Sequence, residues 1–168
     1  FTIDEETGMT GALALKPGQL KGEILLNLDT EEDDEIDIGC AGGVDVTASA
    51  KFELEESKGE IFKIEIKGLQ GGHSGMDIHK GFGNSNKLLG RFLFLGLENQ
   101  IQLISIDGGS LRNAIPREAK AIVSVDNSED FVAKFEQLKS EILEEFASLE
   151  KDLVINIEKT DSSEQTVY

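Results

Sequence analysis

From residue 44 onward the apolar residues lie on single-sided stripes whose period switches between that of a strand and that of a helix, and no other feature constrains the fold as much. Val44, Val46, Ala48, Ala50, Phe52 and Leu54 alternate with mostly polar neighbours, and Phe62, Ile64 and Ile66 do the same after Lys58-Gly59. Two alternating runs around a Lys-Gly turn predict a hairpin. From Ile78 to Leu97 the spacing is helical, with Ile78, Phe82, Leu89, Phe92, Leu93 and Gly96 near one stripe. Ile101 to Ile106 reads as a strand, and Ala119, Ala121, Val123 and Val125 alternate in another. A second helix follows, with Ser128 as its cap, Glu129 and Asp130 at its positive end, and Phe131, Phe135, Leu138, Ile142, Phe146 and Leu149 along one face. Leu153, Ile155 and Ile157 mark a last strand, while Thr160 to Tyr168 has no clear pattern. The predicted order is β-β-α-β-β-α-β. An antiparallel sheet with two helices on one face buries every stripe, so the expected class is α/β of the α+β kind, with a ferredoxin-like sandwich.

Residues 1–43 follow another pattern. Phe1-Thr2-Ile3 reads as the end of a buried strand, and Met9 to Leu15 as a short helix stopped by Lys16-Pro17-Gly18. Ile24 to Leu28 is a continuous apolar run bounded by turn signals, the pattern of a parallel strand covered on both faces. The resulting β-α-β piece is too small for a core of its own, so its neighbours are expected from outside. The chain also opens on Phe1, already inside an apolar stretch, as an internal piece of a longer protein does. The glycine-rich Gly39-Cys40-Ala41-Gly42-Gly43 then separates two expected regions, 1–43 and 44–168, the second cut short at its C-terminal end.

The formal net charge of −17 repels a phosphate backbone and argues against nucleic-acid binding. Most of the charge reads as solubility, with room for a few carboxylates to act as metal ligands. No apolar run approaches the roughly 20 residues of a membrane span, and no signal peptide is recognisable. The single cysteine, Cys40, has no internal disulfide partner, which fits a cytoplasmic location. No histidine or other base flanks it, so it reads as a small buried residue.

Chemistry is expected at two strand ends and in two loops. Asp4-Glu5-Glu6 follows the first predicted strand and Asp29-Thr30-Glu31-Glu32 the second. If those strands are parallel, both sets lie beyond the carboxyl edge of the sheet, where open α/β sheets place ligands. There the carboxylates either converge on a cation or serve as helix caps and solvated loop. His73 sits in Gly68-Leu69-Gln70-Gly71-Gly72-His73-Ser74-Gly75, an exposed glycine-rich setting from which an imidazole can donate to a developing oxyanion. The alternative is an idle surface histidine. His79 reads as structural. Asn113, in Gly108-Gly109-Ser110-Leu111-Arg112-Asn113-Ala114-Ile115-Pro116, either orients a substrate or bonds its own turn.

Taken together, Thr2 to Met9, Asn27 to Glu31, Gly39 to Gly43, Gly71 to Gly75, Asn84 to Leu89 and Leu111 to Glu118 resemble, in order, the Xaa-His (aminoacyl-histidine) dipeptidases. These belong to the clan of aminoacylase-like and glutamate-carboxypeptidase-like zinc metallopeptidases. The resemblance implies that Glu5 is the general base, Glu6 and Asp29 are ligands of two zinc ions (with manganese or cobalt as possible substitutes), His73 reaches the substrate or its oxyanion, and Asn113 lies near the substrate. It further implies a lid domain that can form a homodimer. The family also needs an upstream His-x-Asp and a later histidine ligand, whereas the only histidines here are His73 and His79. The expected function is therefore zinc-dependent hydrolysis of dipeptides, preferably Xaa-His, by a longer parent enzyme, with this chain inactive alone. The competing readings are a non-catalytic ferredoxin-like binding or dimerisation module and another exopeptidase or deacylase of the same clan.

Overall fold

The computed structural model describes residues 3–4, 9–26, 34, 36, 38–39, 44, 46–160 and 166–167. They fall into two compact units, Phe1–Ala48 and Ser49–Tyr168.

In the first unit the short helix α1 spans Thr10–Leu13. Asp4 sets its start: the Asp4 carboxylate accepts the Thr10 hydroxyl at 2.6 Å, and its carbonyl accepts the Met9 N–H at 2.6 Å. Lys16-Pro17-Gly18 ends it, with Gly18 at φ 83° in the turn. The strands expected on either side are not present among the described residues. Ile3 is a bend, and Ile24, Leu25 and Leu26 are unladdered and 80–85% exposed. A parallel strand buried on both faces needs neighbours to bond and cover it, and no strand is present among the described residues of this unit. Phe1, Thr2, Asn27 and Leu28 lie outside the described residues.

The second unit holds β1 (Glu55–Glu56), β2 (Glu60–Lys67), α2 (Ser85–Leu95), β3 (Gln102–Gly108), β4 (Ala119–Val125), α3 (Ser128–Phe146), β5 (Val154–Lys159) and β6 (Thr166–Val167). Two 3-10 turns, Ile78–Lys80 and Gly96–Asn99, flank α2. The sheet order is β3-β4-β2-β5, with every pair antiparallel. This is the β-α-β-β-α-β arrangement of a ferredoxin-like sandwich.

The alternation predicted for 44–54 does not become the hairpin partner of β2. Both edges of β2 are already taken, by β4 (Ile64 opposite Ala121) and by β5 (Ile64 opposite Ile157). A strand has only two edges, so Val44, Val46, Phe52 and Leu54 are left exposed. Only Glu55 and Glu56 form a strand there, against Thr166 and Val167 in the tail for which no pattern was legible.

Phe62, Ile64 and Ile66 on β2, Ala119, Ala121, Val123 and Val125 on β4, and Ile155 on β5 share one face. Leu88, Leu89 and Phe92 of α2 and Phe131, Phe135 and Ile142 of α3 close over it. Phe92 stacks on Phe135 with ring centroids 4.3 Å apart. Fully burying such a side chain stabilises the fold by about 1.5–3 kcal/mol. Asn84 caps α2 by accepting the Lys87 N–H at 3.1 Å. At α3 the cap position belongs to Asn127, and Ser128 is the first helical residue. The expected helix 78–97 is broken, because Gly81 at φ 74° turns the chain between the 3-10 turn and α2. Among the described residues no helix is long and apolar enough to cross a membrane.

Candidate functional site: the His73 loop

The loop from Gln70 to Gly83 is tied down at both ends by one buried carboxylate. Glu150, 4% exposed beyond the C-terminus of α3, accepts the Gln70 N–H at Oε2 and the Gly83 N–H at Oε1, each at 2.8 Å. Gln70 also donates from its side chain to Leu149 O. The chain reaches this latch through Gly68, at φ 81°, where a Cβ would stand 1.9 Å from Asp152 O. Only glycine allows β2 to pass so close to the α3–β5 turn.

Between those ends His73 and Asn113 come together through their backbones. His73 pairs with Ala114 in an isolated antiparallel bridge. The Ser74 N–H donates to Asn113 O at 2.7 Å, and the Ile115 N–H to Gly72 O at 2.8 Å. Arg117 props the same segment by donating from Nε to Leu69 O at 3.0 Å. Two loops 40 positions apart thus form one surface, with His73 and Asn113 both exposed.

The imidazole is held by its own turn. Nδ1 accepts two backbone N–H groups, from Gly75 at 3.1 Å and from Met76 at 3.2 Å. A nitrogen that accepts carries no proton, so in this arrangement the neutral ring bears its hydrogen on Nε2. An exposed Nε2–H is a donor suited to a carboxylate, a carbonyl oxygen or an oxyanion. Beneath it Asp77 accepts the His73 N–H at 2.7 Å and pairs with Lys80 at 2.7 Å. The Lys80 ammonium, and then the His73 N–H, hold the Asp77 carboxyl below its ordinary value.

Glu5, Glu6 and Asp29, and Cys40 with them, lie outside the described residues. Among the described residues no cluster of three or more His, Cys, Asp or Glu side chains could hold a metal ion. His79 is exposed in the 3-10 turn. Asp77 and Glu150 were not anticipated. The spacing Ser74-x-x-Asp77 is that of a capping box and could have pointed to Asp77. For Glu150 the hint was an acid beyond a helix C-terminus, where the macrodipole disfavours it unless it bonds elsewhere. A cavity of about 630 Å³, of ligand size, opens beside this surface, lined in part by Lys67, Asp107, Ser110, Leu111, Arg117 and Lys120.

Residues 64–153, from within β2 to the turn before β5, match the model of the peptidase dimerisation domain. The chain belongs to that family. The chain is 46% identical over 160 residues to the cytosol non-specific dipeptidase of Escherichia coli (strain K12), the match covering 92% of the chain and 33% of the relative. Aminoacylhistidine dipeptidase from Vibrio alginolyticus matches 99% of the chain at 42% identity, with a TM-score of 0.70, and 35% of that structure is covered. The chain therefore spans about a third of the length of these relatives.

Proposed function

We propose that this chain is part of a zinc-dependent dipeptidase that hydrolyses dipeptides, preferably Xaa-His, as a homodimer in the cytoplasm. The observation that carries the reading is the exposed His73 ring, whose Nδ1 is filled by two backbone N–H groups, which leaves the ring hydrogen to Nε2. A fixed donor of this kind suits the oxygen on which charge develops when an amide is attacked. The dipeptidase names of two relatives above 40% identity give the substrate class. Asn113, whose carbonyl accepts the Ser74 N–H, orients the substrate beside His73.

Residues 1–43 belong, in this reading, to the catalytic domain. The Glu5 carboxylate takes a proton from the attacking water and returns it to the leaving amine. Glu6 and Asp29 are the metal ligands of this segment, and carboxylate oxygens are accepted zinc donors. When bound, the metal supplies a polarised carbonyl and an acidified water. Two carboxylates are too few to fix two ions, so the chain by itself is expected to be inactive.

The homodimer is supported by the family and by a surface. Phe94 and Leu97 are 75% and 62% exposed. With Leu138 they surround a hollow of about 400 Å³ between α2 and α3. Apolar side chains grouped in this way suit a subunit contact.

The test is Glu5→Gln in the full-length protein, read as metal content and dipeptide turnover. Loss of roughly 10²–10⁴-fold in kcat with metal retained is expected for a general base. Unchanged turnover removes Glu5 from that role. A full-length protein that binds no metal leaves a binding and dimerisation module, and a metal-loaded one that cleaves no dipeptide leaves another exopeptidase or deacylase of the clan.

A further inference from the structure

The His73 ring owes its orientation to the turn that follows it, and that turn is closed by Asp77. The two residues bond each other twice. The Asp77 N–H donates to His73 O at 2.9 Å, and Asp77 Oδ2 accepts the His73 N–H at 2.7 Å. The second carboxylate oxygen is held by Lys80 at 2.7 Å. This closure gathers Ser74, Gly75 and Met76 into a tight loop and aims the Gly75 and Met76 N–H groups at Nδ1.

Two further details separate this role from ordinary helix capping. Asp77 occupies the N-cap position of the 3-10 turn Ile78–Lys80, yet its side chain makes no cap bond there and reaches back to His73 instead. Gly72 leaves the carboxylate its space, since a Cβ at that residue, at φ 147°, would stand 2.8 Å from Asp77 Oδ2.

We propose that Asp77 is the positioning residue for His73: its carboxylate keeps the 73–77 turn closed, so that Nδ1 stays filled and Nε2–H is presented to a substrate oxygen. The substrate oxygen rests on the function proposed above. The closure of the turn does not.

Two measurements test it. The first is amide hydrogen exchange by NMR on the chain. Asp77→Ala is expected to accelerate exchange at Gly75 and Met76 by about tenfold or more, while Ile64 and Val123 in the sheet keep their protection. Asp77→Asn retains an oxygen able to accept the His73 N–H and is expected to keep most of the protection. Unchanged exchange at Gly75 and Met76 in Asp77→Ala overturns the proposal, and so does an equal loss throughout the sheet. The second is a double-mutant cycle for dipeptide hydrolysis in the full-length protein. Asp77→Ala should lower kcat/KM by about 10- to 100-fold in the native background. With His73 already changed to Ala, the added effect should be within about twofold, because a residue acting through another has nothing left to position. A full additional loss without His73 overturns the positioning role. A full-length protein with no dipeptidase activity removes the proposed function, and the exchange experiment then decides the role of Asp77 unaided.

Discussion

Glu150 concentrates more of the site's architecture in one side chain than any residue the sequence singled out. Its two oxygens each accept one backbone N–H, from Gln70 and from Gly83, and so close a loop whose interior carries His73. Glu150→Gln replaces one acceptor by a donor that faces another donor. The buried N–H left without a partner costs about 1–3 kcal/mol. Chemical denaturation should show that loss, and a change under about 0.3 kcal/mol would mean the latch is not closed in solution. That His73 and Asn113 stand exposed in loops was legible, because glycine-rich polar stretches advertise exposed backbone. Glu150 was not, because nothing local to Leu149-Glu150-Lys151 says that its partners are about 70–80 residues upstream. Asp77 falls between these cases, with the right capping-box spacing but an unexpected acceptor relation to His73.

At the scale of elements, strand and helix type followed from periodicity, and pairing did not. The stripes on β2, β4, α2, α3 and β5 all turned inward as their alternation or helical spacing required. The equally regular stripe at 44–54 did not, because β4 and β5 leave β2 no free edge. Phe135 tests how much the helix layer depends on this packing. It is fully buried between Phe92, 4.3 Å away, and Phe131, 6.2 Å away. Phe135→Ala leaves a cavity in the seam between α2 and α3 and is expected to cost about 3–5 kcal/mol. Thermal or denaturant unfolding checks it. A loss below about 1 kcal/mol would place the ring outside the core.

For the whole molecule the question is what covers the exposed apolar side chains. In the second unit Phe94 and Leu97 form one such patch, and a second copy of the chain is the occupant that the peptidase dimerisation family suggests. Sedimentation should therefore show self-association, and Phe94→Lys with Leu97→Lys should weaken it by about tenfold or more, since each alters a large exposed apolar side chain. Unfolding midpoints measured at concentrations where the protein is monomeric should barely move, because neither residue belongs to the core. A dimer of unchanged affinity would shift the contact to another face. In the first unit Ile24, Leu25 and Leu26 show the same kind of exposure.

The sequence by itself determined the type of the four sheet strands and of the two long helices, which of their faces turn inward, and that His73 and Asn113 stand in loops. Those properties depend on neighbours within a few residues, where side-chain period and glycine placement act directly. Only the tertiary structure decided that 44–54 stands outside the sheet and that β2 pairs with β4 and β5. It also decided that Glu150 and Asp77 hold the His73 loop. Strand edges saturate and a buried carboxylate takes whichever N–H groups the fold brings to it, so both outcomes depend on residues far apart in the chain.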